Sequence, residues 1–336
     1  MTDSAPIIGV VGCGVTGRRV VAHLIGAGHR VAVYDREPSA TLGPQRQGAV
    51  AVGAFEDLLV CDLVVLCQPA PHASTVTELI EERVPVVSIG DDLDDMRDLL
   101  ALDQTARLHD TLVFAGAGMA PGLSGLLARW LSKQLHTLDE LHLAVHGTAG
   151  PACARQHHYA LGHRSLGWHD GEWIEPAGGT GRDLVWFPDP VAAHDCYRGA
   201  LADPIVLHRA FPAVSRISAR VSATRRDRFT ARLPMLAPPH AAGGVGSVRV
   251  EARGAGPEGE RVTVIAGAAA PTADLAAAVA ATTAIAVLDR HPVTPLAAGV
   301  HCPGDESLEC LDLLDHVTRL GVRVQEFTGL ARATSW

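Results

Sequence analysis

Residues Ile7–Asp35 read IIGVVGCGVTGRRVVAHLIGAGHRVAVYD, and this stretch decides the fold. Ile7 to Val11 is a short apolar run rich in β-branched residues, the signature of a buried strand. Gly12-Cys13-Gly14-Val15-Thr16-Gly17 then spells G-x-G-x-x-G at the point where a helix opens. In a dinucleotide-binding turn the three glycines do different work. Gly12 makes the tight turn, Gly14 lets a pyrophosphate approach the backbone, and Gly17 lets helix and strand pack closely. The phosphates then rest on the free N–H groups of a helix N-terminus, here those around Val15, Thr16 and Gly17. Val20, Val21 and Leu24 recur at helical spacing, Arg18, Arg19 and His23 are expected to face outward, and Gly28 ends the helix. His29 to Tyr34 is a second strand. Asp35 follows Gly17 by eighteen residues, where such folds place the acid that hydrogen-bonds an adenosine ribose. Strand, turn, helix, strand and acid together make a dinucleotide-binding reading far more specific than a bare glycine triplet.

A chain of 336 residues has room for two domains. With 47% hydrophobic and 19% charged residues it has the composition of a soluble globular protein. A net charge of −9 argues against nucleic acid as the partner, because phosphate binding needs a basic face. MTDSAP at the start is polar and leads directly into the first strand, so no signal peptide is expected. The longest apolar tract, Ala268 to Leu288, is broken by Pro271 and Asp274 and reads as a buried helix rather than a membrane span. The seven cysteines form no C-x-x-C pair and no metal-ligand spacing. Free thiols in a reducing cytoplasm, and no metal, are the expectation. Lys133 is the sole lysine, so Schiff-base chemistry could use nothing else.

Beyond Asp35 the pattern alternates. Ala49 to Val52 reads as a third strand, Asp62 to Cys67 as a strand buried on both faces, His72 to Glu82 as a helix and Val84 to Ile89 as a strand. Leu93, Met96, Leu99 and Leu100 mark another helix, and Thr111 to Ala115 another strand. This calls for a Rossmann-type, doubly wound parallel sheet over residues 1–122. Ligands in such sheets lie beyond the carboxyl ends of the strands. That rule selects the Gly12–Gly17 turn, Asp35-Arg36, Cys67-Gln68-Pro69, Ser88-Ile89-Gly90 and the run from Gly116 through Gly118 and Met119. Asp91 and Asp92 are expected to cap the following helix, and His72 at a helix start is open to either a structural or a functional role. Asp35 suits the 2′-hydroxyl of NAD, whereas the adjacent Arg36 could hold the 2′-phosphate of NADP. The expectation is NAD(P), tipped toward NAD.

Gly118-Met119-Ala120-Pro121-Gly122 leads into a helix with Leu123, Leu126, Leu127, Trp130 and Leu131 on its apolar face. Further on come Gly147-Thr148-Ala149-Gly150-Pro151, the Trp168–Trp173 segment with Asp170-Gly171 at its turn, Val185-Trp186-Phe187-Pro188-Asp189-Pro190, and Gly299-Val300-His301-Cys302-Pro303. In this order the motifs resemble the saccharopine dehydrogenase-like (saccharopine reductase type) oxidoreductases over nearly the full length. The resemblance implies that the Gly118 segment carries the chain out of the Rossmann domain beside the nicotinamide. It also implies a small-molecule substrate, hydride transfer and a homodimer. Residues 123–336 are expected to form an α+β domain with a mixed, largely antiparallel sheet, from strands at 141–146, 172–174, 214–221, 247–253 and 261–266. The alanine-rich helix at 272–289 is its expected cover, and the tail from about 291 could pack back on the first domain.

Hydride transfer needs placement above all. A protonated imine accepts hydride with little acid help, whereas a ketone or alkene needs a donor. Candidate proton donors are His146, His157 and His158, near the Gly147 turn and the helix after it. Arg155 and Arg164 are candidates for holding a substrate carboxylate. For each of these, an ordinary structural or solvated role is the competing reading. Reduction of an imine made from an amine and an oxo acid leads; reduction of a carrier-bound or lipid-like alkene, and a non-catalytic nucleotide-sensing role, are the alternatives.

Overall fold

The computed structural model describes residues 6–235, 238–289 and 296–327; the N-terminal residues read above for a signal peptide and the end of the tail lie outside them. The first region runs β1 (Ile7–Val11), α1 (Val15–Gly26), β2 (Arg30–Tyr34), α2 (Leu42–Arg46), β3 (Val50–Ala51), β4 (Leu63–Leu66), α3 (Ala73–Glu81), β5 (Val86–Ser88), α4 (Leu93–Ala101), α5 (Asp103–Leu108) and β6 (Leu112–Phe114). The crossover helix is α6 (Leu123–Ser132). The second region continues with β7 (Thr137–His146), α7 (Pro151–Gly162), β8 (Gly167–His169), β9 (Glu172–Ile174), β10 (Asp183–Trp186), β11 (Ala193–Arg198) and α8 (Asp203–Ala210). Then follow β12 (Arg216–Ser222), α9 (Arg225–Thr230), β13 (Val245–Ala255), β14 (Arg261–Pro271), α10 (Thr272–Asp289), β15 (Gly299–His301), α11 (Cys310–Arg319) and β16 (Val324–Glu326).

The first sheet is parallel throughout, in the order β15-β6-β5-β4-β1-β2-β3. The chain winds outward from β1 to β3, then returns to β4 on the other side of β1. A crevice therefore opens between the carboxyl ends of β1 and β4, the switch point at which such sheets bind nucleotides. The apolar run of β4 is fully buried, as a central parallel strand requires. The seventh strand, β15, comes from the tail, while β16 joins the second sheet beside β14. The tail thus touches both sheets. Sequence periodicity missed β15 because three residues are too few to show alternation.

The second sheet has nine strands, with β10-β11-β12-β7-β13-β14-β16 as its path and the β8–β9 hairpin attached to β12. Its β12–β7 pair is parallel and its other pairs are antiparallel. Alternation sets its faces: Leu141, Leu143 and Val145 of β7, and Val248, Val250 and Ala252 of β13, are buried on one side. The hairpin turns at Asp170 and Gly171, both with positive φ, as the Asp-Gly pair predicts.

Two expectations change. The main cover of the second sheet is α6, which lies across β13, β14 and β7, whereas α10 packs chiefly on α1 and touches both sheets, β13 and β14 of the second and β4 and β5 of the first. The alanines of α10 let helices approach closely, and one apolar cluster runs from Val20 and Leu24 through Ala277 and Ala281 to Leu126 and Val250. Arg19 and His23 consequently do not face open solvent; they lie half-buried toward α10, with Arg19 paired to Asp274. Burial holds the two regions together. A fully buried leucine such as Leu126 or Leu127 contributes roughly 2 kcal/mol, against about 0–1 kcal/mol for a partly exposed ion pair such as Arg19–Asp274.

Candidate active site

The crevice between β1 and β4 is shaped by the three glycines, each in its own way. Gly12 has φ +90°, and a Cβ there would come within 2.5 Å of the Gln68 nitrogen. At Gly17 a Cβ would overlap the Gly12 carbonyl oxygen, so strand and helix meet only through glycine. Gly14 differs: it is exposed, its backbone is extended, and a Cβ would have nothing within 4 Å. Space is left open there beside the N-terminus of α1, which no side chain caps, so the first-turn N–H groups are available to an anion. Val15 is half-buried and Thr16 buried.

Asp35 leaves the end of β2 and accepts hydrogen bonds from Cys13 N (2.6 Å) and Glu37 N (2.9 Å). Its carboxylate therefore braces the glycine turn, while Arg36 is exposed. Gln68, just past β4, has a buried Oε1 with no partner among the described residues; Pro69 beside it is exposed. An unpaired buried acceptor next to an open phosphate cradle fits a dinucleotide, whose ribose hydroxyls and carboxamide are donors.

His72 proves structural. Its buried ring lies between Ser88 Oγ (2.7 Å at Nδ1) and the Gln68 carbonyl (2.9 Å at Nε2), and its backbone N–H donates to Asp95 (2.7 Å). With Nε2–H donating to the carbonyl, Nδ1 accepts from the Ser88 hydroxyl, which in turn accepts from Gly90 N–H (3.1 Å). Burial lowers the His72 pKa, keeping the ring neutral as this pattern requires. The network fastens the ends of β4 and β5 together and so fixes where Gln68 sits. On the far side, Gly118 and Met119 are buried, with Gly118 N–H donating to the Pro121 carbonyl at 3.0 Å.

Helix α7 closes the crevice from the second region. A Cβ added at Gly150, its N-terminal flank, would come within 2.9 Å of Val15 Cγ2, so α7 begins against the start of α1. Gln156 of α7 donates to Asp92 at 2.6 Å. Asp92 also caps α4, as expected, by accepting from Asp94 N and Asp95 N. Asp91 does not share that role. It faces Cys153 and His157, which stand one turn apart on α7, and the donor atoms of the three all lie within 4.8 Å of one another. Behind them, His146 at the end of β7 bonds Ser222 Oγ (2.8 Å) and lies 4.1 Å, ring centre to ring centre, from His194.

Burial dominates the ionisation of this cluster. It pushes His157 down to about 4, helped by His146, and His146 down to about 4, helped by His194. It pushes Asp91 up to about 6, with Asp92 and Asp95 adding to the rise, and Cys153 up to about 12. Nearby, buried Asp203 accepts from Ser124 Oγ (2.6 Å), its other oxygen has no partner among the described residues, and burial pushes it up to about 7.

The residues read from sequence therefore divide. Gly12, Gly14, Val15, Thr16, Gly17, Asp35, Gln68, Gly118 and Met119 surround the crevice, and His146 and His157 adjoin it. Two residues from Cys153 and from His157, Arg155 lies on the opposite side of α7 and is exposed. His158 bonds the Leu233 carbonyl at 2.8 Å, and Arg164 pairs with Glu175 at the surface. Asp91, Cys153, Ser124 and Asp203 were not read as site residues. Their sequence spacing carries no signal, since 62 positions separate Asp91 from Cys153. A cavity of about 410 Å³ on the open face of the second sheet, lined by Arg198, Arg216, Arg220, Arg249 and Arg253, draws no residue from the first region.

Residues 7–110 match the family model described as the NAD binding domain of 6-phosphogluconate dehydrogenase. No curated protein matches the chain. Among solved structures, apo saccharopine dehydrogenase (L-Glu forming) from Saccharomyces cerevisiae matches with a TM-score of 0.70 over 96% of this chain and 100% of that one, at 13% identity. GenD2 from gentamicin A biosynthesis, in complex with NAD, aligns over 98% of each chain at 16% identity and a TM-score of 0.46. Mycobacterium tuberculosis 3-hydroxyisobutyrate dehydrogenase aligns over 33% of this chain and 39% of its own, at 24% identity and a TM-score of 0.28. The chain thus has a NAD-binding Rossmann domain joined to a mixed-sheet domain. Its saccharopine dehydrogenase-like resemblance holds across the whole fold.

Proposed function

We propose that this chain is an NAD(P)-dependent oxidoreductase that reduces an imine formed from an amine and an oxo acid. The observation that carries the reading is the crevice itself, where an open phosphate cradle at Gly14 meets reactive side chains on α7. In this reading the N–H groups at Val15, Thr16 and Gly17 bind the pyrophosphate, Asp35 the ribose, and Gln68 the nicotinamide end, with Gly118 and Met119 walling it. The cofactor supplies hydride. His146 and His157, held neutral well below pH 7, are poor proton donors, and a protonated imine needs none. As far as the histidines go this favours imine over ketone or alkene, and Asp91, raised by burial to about 6, is the one acid of the cluster that could serve the others. Asp35, already placed at the end of β2, favours NAD over NADP.

The test is NADH and NADPH consumption over panels of substrates. Oxidation is expected only when amine and 2-oxo acid are both present, with NADH preferred. Turnover of an unsaturated substrate without amine would replace imine with alkene reduction, and inactivity with every panel would remove the enzyme reading.

We put the domain boundary at Gly122 and the chain in the cytoplasm, a reading that seven free cysteines support. No helix among the described residues is long and apolar enough to cross a membrane. A homodimer belongs to the proposal as well. Its interface is not α10, which is spent inside the subunit, but the second sheet, whose edge strand β10 exposes Leu184 (57%) and Trp186 (61%). Light scattering should give twice the mass of 35.2 kDa; a monomer at micromolar concentration removes it.

A further inference from the structure

From the convergence of Asp91, Cys153 and His157 we propose a site for one divalent transition-metal ion of the zinc class, bridging the first region to α7 at the reaction end of the crevice. The inference rests on the oxidoreductase reading for its chemical purpose but not for its geometry.

The three side chains offer one oxygen, one sulfur and one nitrogen, the donor types zinc takes, and a three-ligand set leaves a fourth position for substrate or water, as catalytic rather than structural zinc sites do. Their donor atoms lie within 4.8 Å of one another. Bound zinc, with ligands at about 2.0–2.3 Å, would bring them to roughly 3.5 Å apart. Cys153 and His157, one helical turn apart on α7, share a face, and Asp91 comes from the loop after β5. Among the described residues this is the single group of three or more such donors brought together.

The surroundings suit the ion. Burial keeps His157 neutral, the form that ligates. Burial and the neighbouring Asp91 keep the Cys153 thiol protonated, with the Ala149 backbone opposing them only in part, so the ion would bind by displacing that proton, as metals do on coordinating a thiol. Without a metal, a carboxyl, a thiol and an imidazole are crowded together with no hydrogen bond joining any two of them; an ion would satisfy all three at once. The Gln156–Asp92 bond at 2.6 Å holds α7 against the α4 cap and pre-sets the spacing of the two sides. The oxygen of the oxo acid at the open position would be polarised toward attack by the amine, the step that forms the imine and that the neutral histidines cannot assist.

Chelator-treated full-length protein is loaded with Zn²⁺ or Co²⁺, desalted, and its metal content and absorption spectrum are measured. One equivalent should be retained, with a sulfur-to-cobalt charge-transfer band. Cys153→Ser should remove that band and weaken Zn²⁺ binding at least tenfold. His157→Gln should weaken it similarly, and the control His158→Gln should leave both unchanged. Circular dichroism and NADH binding confirm that each variant is folded. Failure of folded wild type to retain metal, or a charge-transfer band surviving in Cys153→Ser, overturns the site. The two readings separate: metal-free protein that still consumes NADH with amine and oxo acid present sinks the ion and spares the oxidoreductase. Stoichiometric Cys153-dependent binding in a protein inactive on every panel does the reverse.

Discussion

The two ends of the crevice are built on different plans. At the cradle end, Gly12 to Gly17 and Asp35 lie within 24 consecutive residues, and the geometry follows from backbone conformation: a positive φ, a helix start and a strand end. At the reaction end, Asp91, Ser124, Cys153 and His146 come from a loop, a crossover helix, α7 and β7, and side chains carry the geometry. The first end can form as soon as one βαβ unit folds. The second exists only once α6, α7 and α8 have docked. A phosphate can be held by N–H groups that every residue possesses, whereas chemistry needs particular side chains, which the fold must gather from afar.

The sharpest way to break this contrast is at the glycines. Gly14→Val places its side chain in space where the protein has no atoms, so the chain should fold normally while its Kd for NADH rises at least ~100-fold, about 2.7 kcal/mol. Unchanged affinity by calorimetry would mean that the turn does not hold the pyrophosphate. Gly17→Ala should do the opposite. Alanine ordinarily stabilises a helix by up to ~1 kcal/mol over glycine, but here its Cβ meets the Gly12 carbonyl oxygen, and the domain should lose several kcal/mol by urea denaturation.

At the other end, Asp203 measures the cost of assembling side chains. Its folded pKa is raised to about 7 by burial, against ~4 in an unfolded chain. A raised carboxyl contributes stability that is fully present below the unfolded pKa and is lost as pH rises through the folded one. Asp203→Asn keeps an acceptor for Ser124 and cannot ionise. Its stability relative to wild type should therefore climb by up to ~4 kcal/mol from about pH 4 to about pH 8. Urea midpoints whose difference is flat with pH would show that Asp203 does not resist ionisation. The smallest effect is expected at Lys133, exposed at the end of α6. Lys133→Ala should change turnover less than twofold and stability within ~0.5 kcal/mol, and a large loss of activity would revive a protein Schiff base.

Where the sequence was legible, the cause was local. The Rossmann half could be read because β-branched runs, a glycine turn and amphipathic spacing each encode conformation within a few residues, and the Asp170-Gly171 hairpin was readable for the same reason. Misreadings arose where one residue type serves two environments. The alanines of α10 say only that something packs close, and α1 proved to be its main neighbour rather than the second sheet. Asp91 and Asp92 look alike in sequence, yet one caps α4 and the other faces α7. His157 and His158 are adjacent, and a helix turns them about 100° apart, one to the crevice and one to the Leu233 carbonyl.

By itself, then, the sequence determined a glycine turn at a helix N-terminus, the acid that braces it and an α/β frame, since these rest on backbone preferences that short stretches express. Tertiary structure alone decided that α7 lies over the crevice, that Arg155 points away from it, and that Asp91 meets Cys153 and His157. Those meetings depend on how whole elements bury their apolar faces against one another, and that free energy is spread over the entire chain rather than written at the positions it brings together.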